Sequence, residues 1–80
     1  MEATVKADQT LDCTELLCPG PIIKIGKAIK TIGIGQVIEL LTTDPGSVPD
    51  IQAWARQTGN ELVSTKQEDG TYRFFLRRLK

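Results

Sequence analysis

Apolar positions recur along this chain in two different rhythms. Residues 4–12, TVKADQTLD, alternate weakly and run into Leu11, the pattern of an edge-like strand. From Pro19 the interval lengthens. Ile22, Ile25, Ile29 and Ile32 recur every three or four residues, which predicts a helix with one apolar stripe, ended by Gly33-Ile34-Gly35. Lys24, Lys27 and Lys30 fall on the opposite face, and the later lysines suit the negative half of a helix. Residues 36–44, QVIELLTTD, are β-branched and aliphatic, as in a strand buried more fully than the first, and Pro45-Gly46 closes it.

The helical rhythm returns in SVPDIQAWARQTG. Ser47 is the expected N-cap, with Pro49 in the first turn, Asp50 as acidic cap partner and Gly59 just past the end. Val48, Ile51, Trp54 and Ala55 then share the buried face. NELVSTKQ and TYRFFLRRL flank Glu68-Asp69-Gly70, a strong hairpin turn. The order β-α-β-α-β-β with short connections predicts an α+β fold. It is a two-layer sandwich in which two helices cover one face of a four-stranded mixed sheet.

Eighty residues bury little more than about 60% of their unfolded surface, which leaves room for one core and predicts a single domain over residues 1–80. Hydrophobic residues make up 40% and charged residues 25%, an ordinary globular balance. Ten basic and ten acidic side chains cancel, so no net field favours nucleic acid, a membrane surface or an acidic substrate. The closing basic cluster of Arg73, Arg77, Arg78 and Lys80 reads as a solvated strand end or a partner surface. No apolar run approaches the roughly 18 residues of a membrane span, and MEATVKADQT has no secretory core. A cytoplasmic protein is expected.

The candidate chemistry lies in LLCPGP, residues 16–21. Cys13 and Cys18 are the two cysteines, expected as reduced thiols, and histidine is absent. That excludes a Cys-His nucleophile pair and the usual zinc ligand sets, so a reactive thiol must be activated by its backbone setting. If the helix begins at Pro19, that proline's missing N–H costs nothing, and Cys18 becomes the N-cap. There it faces unpaired N–H groups and the positive end of the helix dipole, a setting that lowers a thiol pKa from about 8.5 toward 7. Pro21 removes another donor and fixes the rest. Without an acid-base partner, such a thiolate suits chemistry between sulfurs. The competing reading of Cys18 is a small buried hydrophobe. Cys13, at the strand end, reads equally as packing or as an auxiliary thiol. Asp12 and Asp44 are expected to shape the neighbouring turns, and Trp54 is expected in the core.

LDCTELLCPGP followed by IGIGQVIELLTTDPGSVPDIQAWARQTGNELV resembles the TusA/SirA-type sulfur carrier family, whose signature is Cys-Pro-x-Pro at the start of the first helix. The likeness rests on Leu11-Asp12, Cys18-Pro19-Gly20-Pro21, Asp44-Pro45, Asp50-Ile51, Trp54 and Gly59. It implies a βαβαββ sandwich whose motif cysteine, Cys18 here, accepts sulfane sulfur from a cysteine desulfurase or rhodanese-like donor. The sulfur is held as a persulfide and passed to a downstream relay acceptor protein. Family members serve transfer RNA thiolation, other sulfur-containing cofactor pathways or sulfur oxidation.

On this reading Pro19, Gly20 and Pro21 hold the loop and helix start, Asp12 supports them, and no cofactor or metal is bound. The protein would be a sulfurtransferase-type carrier without independent catalytic machinery, its specificity coming from docking through the basic rows. The chain departs from the family at Glu15, where glycine is common and where a nearby carboxylate would oppose thiol ionisation, and at Cys13.

Two other functions fit parts of the sequence. An RNA-binding or regulatory module would use the basic edges, against which stand zero net charge and few stacking aromatics, Tyr72, Phe74 and Phe75. A redox protein would cycle a Cys13–Cys18 disulfide.

Overall fold

The isoleucine row of the first helix and alternate residues of the sheet meet in one apolar cluster, and that meeting fixes the layers. The computed structural model describes residues 7–14 and 20–80. Its elements are β1 (Gln9–Asp12), α1 (Gly20–Ala28) continued by a 3-10 turn (Ile29–Thr31), β2 (Val37–Thr42), α2 (Ser47–Thr58), β3 (Glu61–Glu68) and β4 (Thr71–Arg77). The strands lie in the order β1-β2-β4-β3. β1 is parallel to β2, and the β2–β4 and β4–β3 pairs are antiparallel. This is the expected α+β mixed sheet with two helices.

Register identifies the covered face. Leu11 stands opposite Leu40, Leu40 opposite Phe74, and Ile38 and Leu62 opposite Leu76. All of these pack with Ile25, Ile29 and Ile32 from the first helical segment and with Ile51, Trp54 and Ala55 from α2. Both helices therefore cover the same side of the sheet. Lys24, Lys27 and Lys30 are exposed, as the stripe requires.

The other face is closed by its own side chains. Arg73 pairs with Glu39 at 2.8 Å, Arg77 with Glu61 at 3.1 Å, and Thr10 Oγ1 donates to Glu39 at 3.1 Å. The Lys66 ammonium lies 5.9 Å from the Phe75 ring centroid. Phe75 is consequently only 7% exposed although no helix covers it. Ion pairs whose arginines stay in contact with solvent, as both do here at 41% exposure, contribute only about 1 kcal/mol each, so their main effect is to cover apolar surface and hold register.

Four expectations change in detail. The first strand is shorter than residues 4–12, and residues 1–6 lie outside the described set. The first helix does not stay α-helical to its glycines. It tightens after Ala28, where Thr31 Oγ1 takes the Ala28 carbonyl at 2.6 Å in competition with the backbone. Ser47 is not an N-cap: it is the first residue of α2, 1% exposed, with its hydroxyl 3.3 Å from that of Thr42. The cap position is Gly46, which makes no side-chain cap bond. In β3 an irregularity between Leu62 and Ser64 inserts one extra residue, which blurs the alternation of this edge strand. The turn and stop signals hold. Asp69 and Gly70 have φ of 47° and 80°, the conformation a two-residue hairpin loop demands, and Gly59 ends α2 at φ 75°.

Candidate functional site

The C-terminal ends of the two parallel strands and the start of α2 come together at one pole of the sheet. Cys13 N–H donates to Leu41 O at 2.8 Å, extending the β1–β2 ladder one step past Asp12. Asp12 then folds the chain. Its Oδ1 accepts from Thr14 N at 3.0 Å and from Thr14 Oγ1 at 2.7 Å, an Asx turn that halts the strand. These two bonds, the backbone one first, hold the Asp12 carboxyl below its ordinary pKa of 3.8.

A second turn lies beside the first. Asp44 Oδ1 accepts from Gly46 N at 3.0 Å, and Asp44 O accepts from Ser47 N at 3.0 Å, which leads the chain into α2. Thr42 Oγ1 accepts from Asp44 N at 3.2 Å beneath this turn. Thr43 Oγ1 donates to Thr14 O at 2.8 Å and ties the two turns together. The chain thus anchors Thr14, the last described residue before the motif, to the end of β2. On the other side of the motif, Pro21 is fully buried in the first turn of α1 while Gly20 is half-buried.

The site residues expected from the sequence divide accordingly. Asp12, Cys13, Gly20 and Pro21 belong to the described residues, and Asp12 and Cys13 meet at this pole. Cys18, Pro19 and Glu15 lie outside the described residues. Cys13 carries a free thiol, 1% exposed, inside the apolar cluster. Burial pushes this thiol's pKa up, the positive charge of Lys24 pulls it partly back, and Asp12 adds to the rise. Trp54 is 9% exposed and sits in the core as expected. Sequence reasoning did not find the hydroxyls of Thr14, Thr42 and Thr43 that bind the turns together, and it gave the hydroxyl of Ser47 a capping role. Their signal was the run Thr42-Thr43-Asp44, polar residues at the end of a strand otherwise aliphatic.

Beside the motif, α1 presents a shallow surface of about 270 Å³ lined by Gly20, Ile23, Lys24 and Lys27. Ile23 is 54% exposed there, an apolar side chain between cations.

The chain resembles known proteins over most of its length. A family model described as sulfurtransferase TusA matches residues 9–78. The sulfur carrier protein TusA of Allochromatium vinosum is 45% identical over 71 residues, covering 89% of this chain and 93% of that protein. The protein YrkF of Bacillus subtilis is 43% identical over 74 residues, covering 92% of this chain but 40% of its own length. The crystal structure of a SirA-like protein from Desulfitobacterium hafniense superposes with a TM-score of 0.79, at 24% identity, over 90% of this chain and 99% of that one, which shows a shared fold. With the family model spanning residues 9–78 and a relative matched over nearly its full length, this chain belongs to the TusA sulfurtransferase family.

Proposed function

We propose that the protein is a sulfur carrier that holds sulfane sulfur as a persulfide on Cys18. What supports this is family membership over residues 9–78 together with a Cys-Pro-Gly-Pro sequence in the segment bounded by the anchored Thr14 and the buried Pro21. In the loading step the Cys18 thiolate attacks the outer sulfur of a donor persulfide. One S–S bond forms, the donor's S–S bond breaks, and the donor cysteine leaves as a thiolate, so no external oxidant is needed. Unloading is the same exchange with an acceptor thiol. Asp12 and the Thr14–Thr43 bond serve the reading by anchoring the chain before the motif, and Gly20 and Pro21 by leading it into α1 after it.

A carrier interacts with sulfur donor and acceptor proteins in general. We assign the donor to the cysteine desulfurase or rhodanese-like class and the acceptor to a downstream relay protein presenting a thiol. The exposed Ile23, Lys24 and Lys27 offer such partners an apolar contact framed by positive charge. The last strand offers less, because Arg73 and Arg77 are paired with Glu39 and Glu61. The single apolar cluster supports reading the chain as one domain, and no helix among the described residues is long and apolar enough to cross a membrane.

The other readings draw less support. A disulfide cycle would have to expose Cys13, which is buried as a free thiol. Base stacking would have to draw on Phe74 and Phe75, which are 0% and 7% exposed, or on Tyr72, which is half-buried against the core.

The test is intact-protein mass after incubation with a cysteine desulfurase and cysteine, on wild type, Cys18→Ser and Cys13→Ser. The expected result is one added sulfur, removed by a thiol reductant, present in wild type and Cys13→Ser and absent in Cys18→Ser. Accurate mass separates this adduct from two added oxygens, and a sulfinic acid would survive the reductant. An adduct that persists in Cys18→Ser, or none with any of several donors, overturns the assignment.

A further inference from the structure

At the pole opposite Asp12 and Cys13, the ends of both helices and the end of β4 enclose a cleft of about 560 Å³, open to solvent. β2 separates the two poles: Cys13 bonds Leu41 near one end, whereas Arg78 N bonds Gln36 O just before the other. At about 3.3 Å per residue, the stretch from Gln36 to Leu41 spans about 17 Å. The ionisable residues lining the cleft are Lys30, Arg78 and Lys80, all cationic, in a chain whose net charge is zero. Trp54, Ile29 and Gly26 supply an apolar floor.

Three further observations indicate a built cleft. Arg78 is held in place, with Nε donating to Lys80 O at 2.8 Å and Nη1 to Ile32 O at 2.6 Å, so its charge is positioned before any ligand arrives. Asn60 fastens the same segment to the end of α2 by accepting from Leu79 N at 2.9 Å and donating to Thr58 Oγ1 at 3.1 Å. Gly26 is a glycine inside a helix, a choice that lowers helix stability by about 0.5–1 kcal/mol relative to alanine. Packing does not demand it, since a Cβ there would meet Trp54 Nε1 at 3.9 Å, an ordinary contact. Its effect is to keep the floor open beside the indole N–H.

We infer that this cleft is a binding site for a small organic anion carrying at least two negative charges on a flat or apolar body. The charges engage Lys30, Arg78 and Lys80, and the body lies on Ile29 and the edge of Trp54. The volume lies within the range of small-molecule sites, and several polar groups converge on it. The inference does not depend on the sulfur carrier reading, because no residue of the cleft belongs to the cysteine pole.

Trp54 is the only tryptophan, so the cleft carries its own reporter. The experiment is a titration of the full chain at fixed ionic strength, followed by tryptophan fluorescence and by the NMR shift of the indole N–H. The probes are adenosine monophosphate, pyrophosphate and adenosine, which supply charge with body, charge alone and body alone. Adenosine monophosphate is expected to saturate both signals and to bind more tightly than either partial probe. The Lys30→Gln/Lys80→Gln variant is expected to weaken it about tenfold. Gly26→Ala is expected to weaken it several-fold while raising stability, which separates lost space from lost folding. Three results would overturn the assignment: no saturable change up to about 10 mM, equal affinity in the double lysine variant, or pyrophosphate binding as well as adenosine monophosphate.

Discussion

Replacing Thr42 by valine tests whether the buried hydroxyl pair holds the cysteine pole together. Thr42 is 0% exposed, its hydroxyl accepts from Asp44 N at 3.2 Å, and it lies 3.3 Å from the hydroxyl of Ser47, itself 1% exposed. Valine preserves the shape, so no cavity forms and the change isolates the polar loss. It leaves the Ser47 hydroxyl buried without its partner and the Asp44 N–H without its acceptor. An unsatisfied buried group costs about 1–3 kcal/mol, and about 2 kcal/mol is expected here. Ser47→Ala should cost less, about 1 kcal/mol, because Thr42 still accepts from Asp44. In the double variant the hydroxyl pair vanishes together, leaving only the lost Thr42–Asp44 bond. Its cost should be about 2 kcal/mol rather than the sum of about 3, a coupling of about 1 kcal/mol.

Urea unfolding followed by circular dichroism measures all three variants. With a slope near 1 kcal/mol per molar for so small a chain, Thr42→Val should lower the midpoint by roughly 2 M. Strictly additive losses would refute the pairing, and so would a Thr42→Val variant within about 0.5 kcal/mol of wild type.

Gly59→Ala should destabilise the protein by about 1–2 kcal/mol in thermal unfolding, because φ is +75° and the new Cβ would stand 2.8 Å from Lys80 Cε; Gly35→Ala, at φ +91° with nothing within 4 Å, should show the backbone part alone. In Cys18→Ser, native Cys13 should react with iodoacetamide far more slowly than after unfolding, and its rate should rise with pH beyond the range of a free thiol, since burial raises its pKa. Equal rates in the two states would place Cys13 at the surface. The Asp12 carboxyl should titrate below 3.8 by NMR and move only part of the way back in Thr14→Ala, which removes the hydroxyl bond and keeps the backbone one. Because its native pKa is depressed, its contribution to stability is full above the unfolded carboxyl's range and drains as the pH falls through the native value. An Asp12 carboxyl that titrates at or above 3.8 in the wild type would refute the Asx turn as the cause.

Legibility differed from element to element. The stripe of Ile22, Ile25, Ile29 and Ile32 was readable because helical period is local, yet the 3-10 turn at Ile29–Thr31 was not, since it follows from one hydroxyl competing for Ala28 O. Ser47 carried every local mark of an N-cap. The structure buries it instead, because Thr42 lies beneath it and Asp44 already shapes the turn. Cys13 could be read either as packing or as an auxiliary thiol, and its burial follows from pairing with Leu41 and proximity to the helices.

The sequence by itself determined the order of elements, the Asp69-Gly70 hairpin, the stop at Gly59 and the family resemblance carried by the cysteine motif. Each is written in spacing or in residues a few positions apart, where backbone sterics and side-chain period act directly. Tertiary structure alone decided the strand order β1-β2-β4-β3, the ion-paired cover over Phe75, the bond from Thr43 to Thr14, and the convergence of Lys30, Arg78 and Lys80 around Trp54. Those depend on register between segments tens of residues apart. A one-residue slip would turn each strand over, so no local pattern can specify them before the core has closed.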